Sequence, residues 1–254
     1  MRADTKPGDS PRVLILGGTS DASQLAERLA DTPNLTVISS LAGRVNDPRL
    51  PAGQVRVGGF GGASGLTRYL VEEKIHAVID ATHPYAAKIS ASAESACATL
   101  GLSLIAFERP PWMQQAGDRW HTVVNPQAAA SFVDSPDNNV FLSIGRQELN
   151  AFSSCSEAWF LVRAIDQPEH PLPTRSQLIL ARGPFQRSDE VQTFREHSIN
   201  VIVSKNSGGP ATYAKIEAAR ELRIPVVMID RPRKHSIPTL TSLDDVLHRL
   251  TSLL

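Results

Sequence analysis

The chain has 254 residues, 41% of them hydrophobic, and its 26 Lys+Arg balance 26 Asp+Glu. That length suits one large domain or two small ones, and the balanced charge removes the basic excess that a nucleic-acid partner demands. Aliphatic runs such as Val13-Leu14-Ile15-Leu16 fall far short of the ~20 residues of a membrane span, so no membrane partner is expected.

Residues 1–11 are polar and lack the apolar core of a signal peptide, which suggests a flexible leader and a cytoplasmic protein. Beyond them, β-branched or Leu-rich runs alternate with Gly- or Pro-marked loops and amphipathic stretches, the pattern of βαβ units and a parallel sheet. In the first half the spacing predicts strands over 12–16, 35–39, 55–57, 77–80 and 102–107. It predicts helices over 22–30, 66–73 (capped by Ser64) and 85–100. Pro110, Pro111 and Gly117 mark a boundary between halves. In the second half strands are expected over 120–124, 140–143, 159–162, 178–181, 201–204 and 226–229. Helices are expected there over 147–152, 189–197, 213–222 and 243–253. The expected fold is α/β, with two Rossmann-like domains whose parallel sheets are flanked by helices and an active site in the cleft between them. The domains are an N-terminal dinucleotide-binding domain over 12–110 and a C-terminal α/β substrate domain over 111–254.

The first strand ends in Gly17-Gly18-Thr19-Ser20 and runs into a helix. Glycines allow a pyrophosphate to approach the backbone, and a helix N-terminus offers free amides. The run is shorter than a full G-x-G-x-x-G, so a plain strand-to-helix turn stands beside the dinucleotide reading. Thr19 or Ser20 adds a hydroxyl, and Asp21 is a candidate helix cap. Strand two ends in Ser39-Ser40, with Arg44 shortly after and no acid to hold a ribose 2′-OH. Hydroxyls and an arginine suit a 2′-phosphate, which favours NADP over NAD. The run from Gly58 to Gly62 reads GGFGG; Gly59, Phe60 and Gly61 would lie against something flat or anionic, or form a linker. Asp80 ends a strand, and Thr82, His83 and Tyr85 follow at the ligand edge, where His83 and Tyr85 are candidate proton donors.

In the second half Arg146, Arg182 and Lys205 each follow a strand, an arrangement suited to a ligand with several carboxylates. Asn206, Ser207 and Gly208 continue the loop after Lys205, an amide-rich cradle at a helix start, with Tyr213 close behind. No P-loop, G-x-S-x-G or metal-ligand spacing stands out, and no metal is expected. Cys97 and Cys155 read as buried apolar residues.

Taken in order, RVLILGGTSDASQLA, SSLAGRV, VGGFGGASGL, DATHPYAAKIS, FERPPW, LARGPF and VSKNSGGPATYAKIEAAR resemble the precorrin-6A reductases of cobalamin biosynthesis, over about residues 12–232. The resemblance implies an NADPH-dependent enzyme that reduces one double bond of a tetrapyrrole-derived polycarboxylate, precorrin-6A, to precorrin-6B. It implies Gly17, Gly18, Thr19, Ser20, Ser39, Ser40, Arg44, Gly59, Phe60, Gly61 and Thr82 on the cofactor. Arg146, Arg182, Lys205, Asn206, Ser207, Gly208 and Tyr213 would lie on the substrate, and Tyr85, His83, Lys205 or a water would supply the proton. Related enzymes of the anaerobic branch act on the cobalt-containing substrate with NADH, and a non-catalytic NAD(P)-binding module needs only the first glycine loop. The expected state is a monomer or weak homodimer. Asp21 and residues 233–240 (RKHSIPTL) depart from the family pattern.

Overall fold

The structure, a computed structural model, describes residues 10–43 and 50–254. Most of the expected leader, residues 1–9, lies outside the described residues. The chain forms two compact units, one reaching Arg109 and resuming at Pro232, the other spanning Pro110–Arg231.

The first unit begins with β1 (Arg12–Leu16), α1 (Ser20–Ala30), β2 (Thr36–Leu41), β3 (Gln54–Val57), α2 (Gly62–Glu72), β4 (Ala77–Asp80), α3 (Ala87–Leu100) and β5 (Ser103–Phe107). Strand β1 is apolar throughout its buried length because helices cover both faces of its sheet. Val13 and Ile15 pack with Ala22, Leu25 and Leu29 of α1 on one face. Leu14 and Leu16 pack on the other with Leu66 and Leu70 of α2 and with Ala93, Ala96 and Cys97 of α3. Burial pushes the Cys97 thiol up to about 11, so it stays protonated and serves as apolar filler. Helix α2 starts earlier than expected: Gly61, at φ 79°, is its N-cap and makes no side-chain bond, and Ser64 falls inside the first turn.

The second unit contains β6 (Trp120–Val123), α4 (Pro126–Val133), β7 (Asn139–Ser143), a 3₁₀ helix (Arg146–Phe152) and β8 (Trp159–Ala164). It continues with β9 (Ser176–Leu180), α5 (Arg187–Glu196), β10 (Val201–Lys205), α6 (Ala214–Leu222) and β11 (Val226–Ile229). Helix α4 was not among the expected elements. Its start is nevertheless written in the chain: Asn125 accepts from the Ala128 amide at 2.8 Å and Pro126 opens the first turn. The core on one side of the sheet joins Phe141, Leu161, Ile202, Val226 and Met228 to Phe194 of α5 and to Ile216 and Ala219 of α6.

The last elements, β12 (Thr239–Leu240) and α7 (Leu243–Thr251), correct the expected domain limits. Residues 232–254 belong to the first unit, not to a substrate domain over 111–254. Thr239 pairs with Ala106 and Leu240 with Phe107 along the edge of β5, while Val246 and Leu250 of α7 enter the core beside Val13, Leu25 and Phe107. The physical reason is an open strand edge and an apolar helix stripe that satisfy each other.

Both sheets are parallel, in the orders β12-β5-β4-β1-β2-β3 and β6-β11-β10-β7-β8-β9. Five strands of each follow one pattern, β5-β4-β1-β2-β3 and β11-β10-β7-β8-β9, while the sixth, at the edge, is the last strand of its sheet in the first unit (β12) and the first in the second (β6). Each is a parallel sheet flanked by helices, as the alternation predicts. The strand order reverses between β1 and β4 and again between β7 and β10. In such sheets ligands bind at the carboxyl ends of the strands beside the reversal.

Candidate functional site

In the first unit the loops after β1 and β4 flank the reversal. Thr19 caps α1: its Oγ1 accepts from the Ala22 amide at 3.1 Å and donates to the Ala81 carbonyl at 2.9 Å. The cap is therefore Thr19, and Asp21 instead pairs with Arg109 at 2.7 Å. This pairing neutralises an acid that would otherwise repel an anion at the helix start. Gly18 adopts φ +99° and has nothing within 4 Å of where a Cβ would stand. The Gly17 amide donates to the Ser40 carbonyl at 3.0 Å, so Gly17 ties the loop to β2, while Gly18, Thr19 and Ser20 present an open glycine and a helix N-terminus, which fit a pyrophosphate.

Ser39 and Ser40, at the end of β2, are buried. Arg44 lies outside the described residues. A different arginine stands beside the serines: Arg56 of β3 is the register partner of Ser40. Its Nη1 donates to Ser40 Oγ at 2.9 Å and to the Gly58 carbonyl at 2.8 Å, and its Nη2 donates to the Gly59 carbonyl at 3.1 Å. The guanidinium sits 3.9 Å from the centre of the Phe60 ring, which meets Tyr69 edge-on at 5.1 Å. One face of Phe60 therefore holds an arginine, whose guanidinium also donates to the Gly59 carbonyl. Gly61 is the N-cap of α2. Sequence reading passed over Arg56, which reaches Ser40 through strand register rather than along the chain. A fixed guanidinium beside a serine hydroxyl fits a ribose 2′-phosphate.

After β4, Asp80 is fully buried. Thr82 donates to Asp80 Oδ1 through both its amide (2.9 Å) and its hydroxyl (2.6 Å), so that hydroxyl is turned toward Asp80. His83 and Tyr85 lie half-buried in the following turn, with ring centres 5.6 Å apart. The Tyr85 amide donates to His83 Nδ1 at 3.3 Å.

In the second unit Arg146, Arg182 and Lys205 follow or end β7, β9 and β10, so all three stand at the carboxyl edge of one parallel sheet. Lys205 Nζ pairs with Glu148 Oε1 at 3.0 Å, a partner the sequence did not reveal. The loop after β10 is pinned by its own unit. Asn206 accepts from the Trp112 amide at 2.8 Å and donates to the Trp112 carbonyl at 3.1 Å. Arg231 Nε donates to the Asn206 carbonyl at 2.7 Å, and Trp112 Nε1 to the Gly209 carbonyl at 2.8 Å. A Cβ on Gly208 would stand 2.2 Å from the Pro110 carbonyl, so close backbone packing requires glycine there, whatever the loop binds. The Ser207 amide donates to the Lys205 carbonyl at 2.8 Å, and the Tyr213 hydroxyl accepts from Arg220 at 2.8 Å. Behind this loop lie three buried charged groups the sequence reading passed over: Arg163, Glu190 and Lys215. Burial, more than the cations nearby, pushes the Lys215 ammonium down to about 7.

A family model described as precorrin-6x reductase CbiJ/CobK matches residues 12–251. The precorrin-6A reductase of Rhodococcus erythropolis is 48% identical over 235 residues, 92% of this chain and 94% of the relative. The cobalt-precorrin-6A reductase of Priestia megaterium is 25% identical over 256 residues, 94% of this chain and 98% of the relative. Among solved structures, that of CobK precorrin-6A reductase matches with a TM-score of 0.89 and 43% identity, over 96% of this chain and 97% of that one. No helix among the described residues is long and apolar enough to cross a membrane.

Proposed function

The chain belongs to the precorrin-6x reductase family, and from that premise we propose that it reduces one ring double bond of precorrin-6A with NADPH, giving precorrin-6B, in cobalamin biosynthesis. The observation that carries this reading is 48% identity to a precorrin-6A reductase over 92% of the chain. Identity to a cobalt-precorrin-6A reductase falls to 25%, which favours the substrate without cobalt.

NADPH, when bound, supplies the hydride equivalent. Gly18 and the amides of Thr19 and Ser20 receive its pyrophosphate, with Gly17 allowing the close turn that presents them. Arg56 and Ser40 receive the 2′-phosphate, the role that the sequence alone gave to Arg44. Arg146, Arg182, Lys205 and Ser207 hold the acetate and propionate groups of the macrocycle. The carbon next to the reduced one takes a proton, for which His83, Tyr85 and Lys205 are the donors of this reading. His83 Nδ1 accepts the Tyr85 N–H, so the neutral ring carries its proton on Nε2; to act as the donor His83 must first be doubly protonated, which gives up that bond.

Purified protein is expected to oxidise NADPH only when precorrin-6A is supplied, followed by the loss of nicotinamide absorbance. An unchanged absorbance with authentic substrate overturns the proposal. Arg56→Gln is expected to weaken NADPH binding by about 1.5–3 kcal/mol, the worth of a charge-assisted contact, and to leave NADH binding unchanged. Titration of nucleotide fluorescence checks this. Equal NADPH affinities in variant and parent would take Arg56 off the phosphate.

A further inference from the structure

Two polar side chains of residues 233–240 lie deep in the first unit, beside a buried carboxylate. The Lys234 and His235 side chains are each 1% exposed, and Asp80, between them, is 0% exposed. Lys234 Nζ lies 3.3 Å from Asp80 Oδ1 and donates to the Thr82 carbonyl at 3.0 Å. His235 Nε2 lies 3.5 Å from Asp80 Oδ2, and its Nδ1 lies 3.1 Å from Glu94 Oε1 on α3. Glu94 also accepts from the Ser236 amide at 2.8 Å and the Ser236 hydroxyl at 2.6 Å. Burial raises the Glu94 carboxyl, but the bonds from Ser236 and His235 outweigh it and hold the group low.

Two consecutive carbonyls just after β4 are thereby held by different segments of the chain. Ala81 is held by the Thr19 hydroxyl of the glycine loop, and Thr82 by the Lys234 ammonium of the returning C-terminal segment. Apolar residues of similar volume would anchor that segment as well or better, because a buried ion pair is a weak source of stability. What the pair adds is direction: it sets the backbone of the loop that leads to His83 and Tyr85.

We propose that Lys234 is a positioning residue of the nucleotide site, acting through Asp80 and the Thr82 carbonyl to hold the β4–α3 loop in its binding shape. This rests on the reading that the first unit binds NADPH. The nucleotide site is then incomplete without the C-terminal segment, although no residue of that segment need touch the ligand.

The test compares full-length Lys234→Met, Asp80→Asn and the double variant by NADPH fluorescence titration and by thermal unfolding followed by circular dichroism. Lys234→Met is expected to raise the NADPH dissociation constant at least tenfold. The double variant removes both members of the Lys234–Asp80 pair, so its melting point is expected to recover toward the parent's while its NADPH affinity stays at least tenfold weak. Should Lys234→Met fail to fold, the double variant alone carries the comparison. NADPH affinity within twofold of the parent in either folded variant, or affinity that recovers along with the melting point, would reduce Lys234 to a structural anchor and overturn the proposal. A parent that binds no NADPH would instead remove the reading on which it rests.

Discussion

Replacing Glu190 by Gln is expected to lower the stability of the second unit by about 3–5 kcal/mol, the loss typical of removing one partner from a buried ion pair. Glu190 Oε1 accepts from Arg163 Nη1 at 2.7 Å, with the two side chains only 2% and 7% exposed. The guanidinium is further enclosed by Phe185 and Phe141, whose ring centres lie 3.7 and 4.7 Å away. Burial pushes Arg163 below its ordinary value, and Glu190 opposes that push. The same carboxylate is the group that pulls Lys215 back up, while Arg163 and Lys205 push it further down. One anion therefore serves two buried cations. Gln keeps the volume and one hydrogen bond, so the loss isolates charge. Glu190 Oε2 and Arg163 Nη2 find no hydrogen-bond partner among the described residues, so the intact pair contributes little net stability even though breaking it is expensive. The chain's three tryptophans, Trp112, Trp120 and Trp159, all lie in the second unit. Urea unfolding followed by tryptophan fluorescence therefore reports on that unit. A midpoint equal to the parent's would show that Arg163 and Lys215 do not depend on Glu190.

The features legible in the sequence were local ones. Strands such as β1 and β11 announce themselves because both sheet faces are covered and nearly every residue must be apolar. The glycine loop after β1 was legible for a similar reason: a strand, two glycines and a helix are consecutive in the chain. Features that depend on distant partners stayed hidden. The two residues of β12 carry too little pattern to be seen, and their partner β5 lies more than a hundred positions earlier. Arg56 acquires its meaning from register with Ser40. Lys205 looked like one of three equivalent cations until the fold set Glu148 against it. Lys234 sat in a segment that looked atypical, and what makes it intelligible is Asp80, brought to it by the return of the chain.

Lys215→Met is expected to stabilise the second unit, by an amount that depends on pH. Lys215 is 3% exposed and its Nζ donates to the Thr212 carbonyl at 3.0 Å, with the centre of the Trp112 ring 5.1 Å away. Its folded value of about 7 lies below the ordinary 10.5 of an exposed lysine, a gap equivalent to about 5 kcal/mol. The direction is opposite to that of a salt-bridged lysine. Below about pH 7 the group is charged in both states, and the folded chain bears the whole penalty of burying it. Between about 7 and 10.5 the unfolded chain binds a proton that the folded chain has released, so raising the pH favours folding. Above 10.5 the group is neutral in both states and the penalty is gone. Methionine matches the stem and carries no charge, but it gives up the bond to Thr212. The expected net gain at pH 6 is therefore about 1–4 kcal/mol, the range seen when buried charges give way to apolar side chains. The difference in unfolding midpoint between variant and parent, followed by tryptophan fluorescence, should shrink steadily as the pH rises from 7 toward 10. A gain that does not change with pH would place its origin in packing, and a loss of stability at pH 6 would show that Lys215 is better solvated than its burial implies.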